Sequence, residues 1–287
     1  GGLDVNYLSA RDVWKSSDGV NWDLVTEDAG FVPGRIVVFK DRLWSIGGWE
    51  RTSDSDGILK DIWSSADGIH WRRELSDVEF LNRSKFEGAV HQGRIWLTGG
   101  GTGRCPSSSD YSDTWYTEDG IVWHASTVSV TYPSRCGHRM LNHNGQLYIV
   151  GGASSNKYLN DVWVLDSENG WLQVTDDTGY MERLGSQVLS YQGQLWTFGG
   201  KDRASIRHSD IWSSGDGVEW KSDELLRFPL RYDHQSISFK DRLWVIGGQD
   251  FTEYWHNAIV TGSYDSVKSD IWSSVEGYNW SLEVEKP

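Results

Sequence analysis

Leu43-Trp44-Ser45-Ile46-Gly47-Gly48, followed by Asp61-Ile62-Trp63-Ser64-Ser65-Ala66-Asp67-Gly68-Ile69-His70-Trp71, carries the pattern that decides the fold. The first stretch alternates in character and ends at a glycine pair, as a half-buried strand running into a loop does. The second opens at Asp-x-Trp, passes a Gly-containing turn and reaches another Trp eight residues after the first. The same unit recurs along the chain. Asp-x-Trp stands at Asp12–Trp14, Asp61–Trp63, Asp113–Trp115, Asp161–Trp163, Asp210–Trp212 and Asp270–Trp272. The later Trp follows every time, at Trp22, Trp71, Trp123, Trp171, Trp220 and Trp280. A Gly-Gly pair precedes each unit, from Gly1-Gly2 to Gly247-Gly248.

Working outward, a further strand lies upstream of each of the last five pairs, such as Arg35–Phe39 or Ser236–Phe239. It joins the next strand through two residues: Lys40-Asp41, Gln92-Gly93, Asn144-Gly145, Gln192-Gly193 and Lys240-Asp241. Connections this short make β-hairpins, and Asn-Gly suits the type I′ turn whose twist matches the strands. Each unit is therefore a four-stranded antiparallel meander, with strands a, b, c and d. Repeated meanders make propeller blades, because each buries its faces only against its neighbours.

These residues resemble the kelch repeat: Arg at the start of strand a, a hydrophobic run into Gly-Gly, then Asp-Val-Trp and a later Trp. Arg83, Arg135, Arg183 and Arg231 each stand 17 residues before the second Gly of their pair, and Phe31 breaks the pattern. The resemblance implies an all-β, six-bladed β-propeller forming a single domain over 1–287. The blades fall at about 31–75, 83–128, 135–175, 183–225 and 231–287, with a partial blade over 1–30. The partial blade has a c–d pair but lacks strands a and b. A segment absent here, or another chain, is expected to complete it, since open sheet edges invite pairing. The Ser-x-Asp-Gly turns are also similar to the Asp-box of sialidase-type propellers, with one residue fewer before the Trp.

Composition narrows function more than it names it. The net charge is −14 and Lys and Arg never cluster beyond pairs, so a nucleic-acid partner, which needs a basic face, is not expected. No apolar run reaches the roughly 20 residues of a membrane span, so insertion is not expected either. The eight His show no metal-ligand spacing, the Asp-Gly turns supply too few oxygens for calcium, and no cofactor is expected. No Gly-x-Ser-x-Gly elbow points to a hydrolase.

The a–b and c–d turns must share one face, and the b–c and d–a connections the other. From each second Gly to the strand-c Trp takes 12, 15, 15, 11, 12 and 24 residues, so length variation concentrates in the b–c loops. Variable loops on a rigid scaffold are where binding sites sit. Sixteen tryptophans belong to the repeat and read as packing; Trp49 and Trp255 fall in b–c loops. A candidate ligand site is placed across Trp49, Glu50 and Arg51, the partial blade's loop Leu3–Arg11 and the longest b–c loop, Gln249–Ser269, with Tyr254, Trp255 and His256. Strand a changes polarity at one aligned position, Arg35, Glu87, Arg139, Gln187 and Gln235, so Arg35, Glu87 and Arg139 are candidates lining a polar channel. The recurrent Arg and Asp read as structural bonds across blades. His138 and His234 share a repeat position and read as fold residues.

The expectation is a non-catalytic extracellular or cell-surface binding module for a glycan or a protein. The resemblance also admits a carbohydrate enzyme such as a sialic acid mutarotase, or a scaffold in a larger assembly. Cys105 lies in a b–c loop and Cys136 opens the next strand a on the same face. Neighbouring blades bring them together, and a disulfide between them is expected. It would fit an oxidising compartment, hence secretion or surface display.

Overall fold

The computed structural model describes residues 2–3, 8–51, 56–103, 105–166, 168, 170–222, 228–256 and 259–285, with the backbone alone for 2–3, 56, 251–256 and 259–265. The chain separates into two compact units, one of Gly1–Lys15 with Asp23–Thr178 and one of Ser16–Trp22 with Gly179–Pro287.

The first unit holds three four-stranded antiparallel sheets. In the first, β5 (Arg35–Phe39), β6 (Arg42–Arg51), β7 (Asp56–Ser65) and β8 (Arg72–Leu75) pair in sequence order. β9 (Glu87–His91), β10 (Arg94–Thr98), β11 (Thr114–Thr117) and β12 (Trp123–Ala125) make the second. β13 (Arg139–His143), β14 (Gln146–Ser154), β15 (Lys157–Asp166) and β16 (Gly170–Thr175) make the third. The unit also contains two two-stranded ladders, β1 (Gly2–Leu3) with β2 (Ser9–Ala10) and β3 (Val13–Lys15) with β4 (Asp23–Thr26).

The second unit holds two more such sheets. One orders β17 (Gln187–Tyr191), β18 (Gln194–Phe198), β19 (Ile211–Ser214) and β20 (Lys221–Ser222). The other orders β21 (Gln235–Phe239), β22 (Arg242–His256), β23 (Ile259–Ser274) and β24 (Ser281–Val284). The protein is an all-β propeller of four-stranded antiparallel blades, and the blades number five rather than the expected six. Counting Asp-x-Trp motifs gives six, and the first motif builds the c–d pair expected of the partial blade, β3 with β4, with no four-stranded sheet there among the described residues.

Local chemistry accounts for the meanders. All five a–b turns put both central residues at positive φ, from Lys40 at 48° and Asp41 at 55° to Lys240 at 48° and Asp241 at 54°. That is the type I′ geometry expected, and it holds even where neither residue is glycine. The c–d turns close differently. Ser16, Ser65, Thr117, Ser214 and Ser274 each accept a hydrogen bond at Oγ from the glycine N–H three residues on, at 2.7–2.9 Å. In the first four, the Asp carboxylate also accepts the two following N–H groups, as Asp119 does from Ile121 and Val122 at 2.8 Å each. The Ser or Thr hydroxyl and the Asp carboxylate of these four turns thus close the hairpin by accepting backbone N–H groups.

Burial lies between consecutive blades. Trp44, Ile46, Ile62, Phe86, Ile95 and Leu97 form one apolar cluster; Trp96, Met140, Leu147, Ile149, Trp163 and Trp171 form another; Trp196, Phe198, Phe228, Leu243 and Val245 form a third. Strand-b tryptophans are the keystones, and Trp44, Trp96, Trp196 and Trp244 are buried. Trp14, in the β3–β4 ladder, departs from the packing role, being 43% exposed.

Two expected loops are strands. The b–c segment Gln249–Ser269 continues β22 and β23 as an antiparallel ribbon paired as far as His256 with Ile259. Trp49–Arg51 likewise extends β6, with Trp49 opposite Ile58. The longer stretch is rich in aromatic and β-branched residues, which favour a pleated backbone over an irregular loop.

Candidate functional site

Four blades repeat one internal clamp. The strand-a arginine grips the Asp of Asp-x-Trp through two nitrogens: Arg83 to Asp113 at 2.5 and 2.8 Å, and Arg135 to Asp161 at 2.9 and 2.8 Å. Arg183 to Asp210 (2.5 and 2.8 Å) and Arg231 to Asp270 (2.8 and 2.9 Å) match. The same guanidinium donates to the carbonyl of the first glycine of the pair, Gly99, Gly151, Gly199 or Gly247, at 2.9–3.2 Å. Both partners lie in one blade, so the bond ties strand a to strand c within a blade and does not cross between blades as expected. The four arginines are nearly fully buried, and a planar guanidinium in bidentate contact is what makes that burial tolerable. Burial raises the pKa of Asp113, Asp210 and Asp270, but the bonds from Arg83, Arg183 and Arg231 outweigh it and hold all three carboxyls below their ordinary range. An aromatic three residues before each arginine packs on the blade's tryptophans, such as Phe80 stacked on Trp115 at 4.4 Å.

The β5–β8 blade lacks this clamp. Phe31 stands at the arginine position, yet it lies 4.6 Å from Trp63 in a parallel stack and 5.1 Å from Trp71. It therefore does the aromatic's work, and nothing in strand a replaces the arginine. Asp61, the aspartate of this blade, instead receives a long 3.5 Å contact from Arg73 of β8 and a 3.3 Å bond from the Asp77 N–H. Beside it opens a cleft of about 450 Å³ lined by Arg11, Phe31, Gly47, Glu50, Asp61, Trp63 and Arg73, among others. Arg11 binds Glu50 at 2.6 Å, and that bond raises the pKa of the Arg11 guanidinium.

The other sequence candidates fall as follows. Glu50 lines the cleft; Trp49 is 41% exposed beside it in sequence; the Arg51 N–H bonds Ser9 Oγ at 2.9 Å. Arg35, Glu87 and Arg139 do come together, from β5, β9 and β13. Arg139 Nη1 donates to Glu87 Oε1 at 2.7 Å, and Arg35 Nη1 is 3.0 Å from Oε2 as an ion pair without hydrogen-bond alignment. Arg35 Nε also donates to the Gly88 carbonyl at 3.0 Å. Glu87 is buried and balanced by two cations, so this cluster is a tie between first strands rather than an open acid. The side chains of Tyr254, Trp255 and His256 lie outside the described residues. His138 and His234 are fully buried and pack their rings where a Cβ on Gly99 or Gly199 would sit, at 2.6 and 2.7 Å, the fold role expected of them.

Cys105 and Cys136 are joined by a disulfide, with Cα atoms 5.8 Å apart, within bridging reach. It fastens the β10–β11 loop to the start of the next blade.

Apart from Glu50, and Arg11 at the end of the loop Leu3–Arg11, the residues of the cleft do not stand out in the sequence as site residues. The signal was present: Phe31 is where the arginine register fails, and a missing internal cation leaves its acceptors behind.

Taken together, the blades define a β-propeller with an open cleft in its first unit. A family model, the DUF6242 beta propeller domain, matches residues 138–267, so the chain is similar to that family over a little under half its length. No curated protein matches the chain.

Proposed function

We propose that the protein is a non-catalytic binding module that recognises a glycan or a protein through its b–c face. The observation that carries this reading is the cleft beside Glu50, flanked in sequence by the exposed Trp49. It combines aromatic walls, Phe31 and Trp63, with charged groups, the composition of recognition sites. The kelch assignment belongs to the same proposal, supported by the Arg–Asp clamp and the Gly-Gly pairs. Export to an oxidising compartment is supported by the Cys105–Cys136 bond. Asn82 and Asn279, both exposed and in glycosylation sequons, fit that setting.

The test uses the whole chain on a glycan array and a random-peptide display library, beside a Trp49→Ala/Trp255→Ala double variant. Saturable binding by the parent, weakened in a variant of unchanged melting temperature, is expected. Absence of any saturable binding, or faster anomer interconversion of free sialic acid in an NMR assay, overturns the reading.

A further inference from the structure

We propose that the cleft of the β5–β8 blade is a receptor for a guanidinium group, an arginine side chain presented by a protein partner. The inference deepens the binding-module reading and rests on it for the partner, though not for the chemistry.

The argument is an internal comparison. In four blades one guanidinium is held by the same acceptor set, the Asp of Asp-x-Trp and the carbonyl of the first glycine, above the strand-c tryptophan's neighbourhood. Asp61, Gly47 and Trp63 are the corresponding residues of the remaining blade, and all three line the cleft. The chain keeps the acceptors and omits the donor. The step from Phe31 to Gly34 takes three residues, whereas the equivalent step from Phe80 to Phe86 takes six, and the arginine falls in the omitted part. Space opens where that side chain would lie.

Arg73 is a weak substitute. Its contact with Asp61 is 3.5 Å, single-pronged, and its side chain is 55% exposed. The carboxylate geometry that satisfies two nitrogens at 2.5–2.9 Å elsewhere is therefore underused. A ligand guanidinium makes two charge-assisted bonds to Asp61 and swings Arg73 out to solvent, where a long cationic side chain is well hydrated. Glu50 lines the same cleft but is balanced by Arg11 at 2.6 Å, so Asp61 is the carboxylate that selects the cation. Phe31 and Trp63 give the aliphatic stem of the ligand an apolar wall. A lysine ammonium fits less well, because one point charge cannot span both carboxylate oxygens. A protein is favoured over a glycan because sugars carry no guanidinium.

The experiment follows the Trp63 indole N–H by NMR on the whole chain while N-acetyl-arginine methylamide is added. A saturable shift is expected, with none from the neutral citrulline analogue and a weaker one from the lysine analogue. Asp61→Asn is expected to weaken binding at least about tenfold, as the loss of a charge-assisted pair does. Its melting temperature should stay near the parent's, since no buried arginine depends on Asp61. Arg73→Ala should tighten binding by removing the internal competitor. Equal binding of the citrulline analogue, or binding lost in Arg73→Ala with retention of an anionic probe such as N-acetylglutamate, overturns the proposal. If array or library ligands bind but their binding ignores Asp61→Asn, the guanidinium inference fails while the binding-module reading stands. If blocked arginine binds and no macromolecule does, the reverse holds.

Discussion

Arg135 and Asp161 form a two-pronged ion pair at 2.9 and 2.8 Å with both side chains removed from water, and Arg135 also holds the Gly151 carbonyl at 2.9 Å. One side chain thereby fixes the start of strand a, the end of strand b and the opening of strand c. The tryptophan two residues on is held by the same carboxylate, Trp163 Nε1 donating to Asp161 at 2.7 Å. The recurrence of Arg, Gly-Gly and Asp-x-Trp is this one interaction written across three strands.

Removing one partner of that pair strands the other in a dry site. Asp161→Asn is expected to cost about 3–5 kcal/mol, the usual penalty for an uncompensated buried charge. Asp61→Asn, in the blade without the arginine, should cost under about 1 kcal/mol, as a half-exposed polar change does. Chemical denaturation of both variants checks the contrast. Similar losses at the two positions would remove the distinction between a clamp and an open acceptor.

Glycines of equal backbone strain differ in surroundings, and the difference is measurable. Gly120 has φ +84° and an added Cβ would come 2.3 Å from the Trp44 indole; Gly145 has φ +81° with nothing near. Gly145→Ala should cost only the left-handed penalty, about 1 kcal/mol. Gly120→Ala adds overpacking against a buried tryptophan and should cost about 2–4 kcal/mol in all. Melting curves of the two variants give the comparison. The same tight approach recurs at Gly277 with Trp196 and at Gly19 with Trp244, in the second unit.

That pattern bears on what a reader of the sequence can recover. Strand positions and I′ turns follow from two-residue periods and short connections, which are local. The Cys105–Cys136 bond followed from topology once the blades were placed. The total of six came from motifs rather than sheets: Asp12–Trp14 announces the partial blade, whose expected c–d pair is the β3–β4 ladder, while the four-stranded blades number five. Gln249–Ser269 read as a loop because its length outweighed its β-branched and aromatic content. The cleft was least legible, since it consists of a side chain that Phe31 fails to supply, and a void has no letter in a sequence.

Stability should fall in two stages with acid. Burial holds the His138 pKa well below the ordinary value, and the neighbouring Arg135, Arg139 and Arg35 push it the same way. A folded-state pKa below the unfolded one gives stability that is full above the unfolded value, about 6.5, and fades as pH falls below it. The second stage comes from Asp113, Asp210 and Asp270, whose folded values lie below the ordinary range of about 4, so their contribution is lost below that pH. Phe86 occupies the position of His138 in the preceding blade, which makes His138→Phe a conservative change. Melting temperature against pH should lose the decline that begins below about 6.5 in that variant and keep the acid stage set by the aspartates. An unchanged upper decline would assign it to other groups, His91 and His208 being the candidates, both with pKa lowered by burial.

The disulfide offers the last expectation. It closes a loop over a sequence separation of 31 residues, worth roughly 3–4 kcal/mol if its effect is to restrict the unfolded chain. The native loop is also held without it: Gly101 and Ser84 exchange backbone hydrogen bonds at 2.9 and 3.0 Å, and the Tyr111 N–H reaches the Gly100 carbonyl at 2.7 Å. Those bonds keep the β10–β11 loop in place after the covalent link is cut. Reduction should therefore lower the melting temperature without changing the folded backbone, and Cys105→Ser should match the reduced parent. Cys105 is the better site for replacement, because it is only partly buried whereas Cys136 is fully buried. Melting with and without reductant, together with amide shifts of Gly99–Asp110 in the variant, checks both halves. A loop that loses its amide protection when Cys105 is replaced would mean that the bond, and not the backbone ladder, sets its shape. A melting temperature indifferent to reductant would mean that the bond contributes nothing.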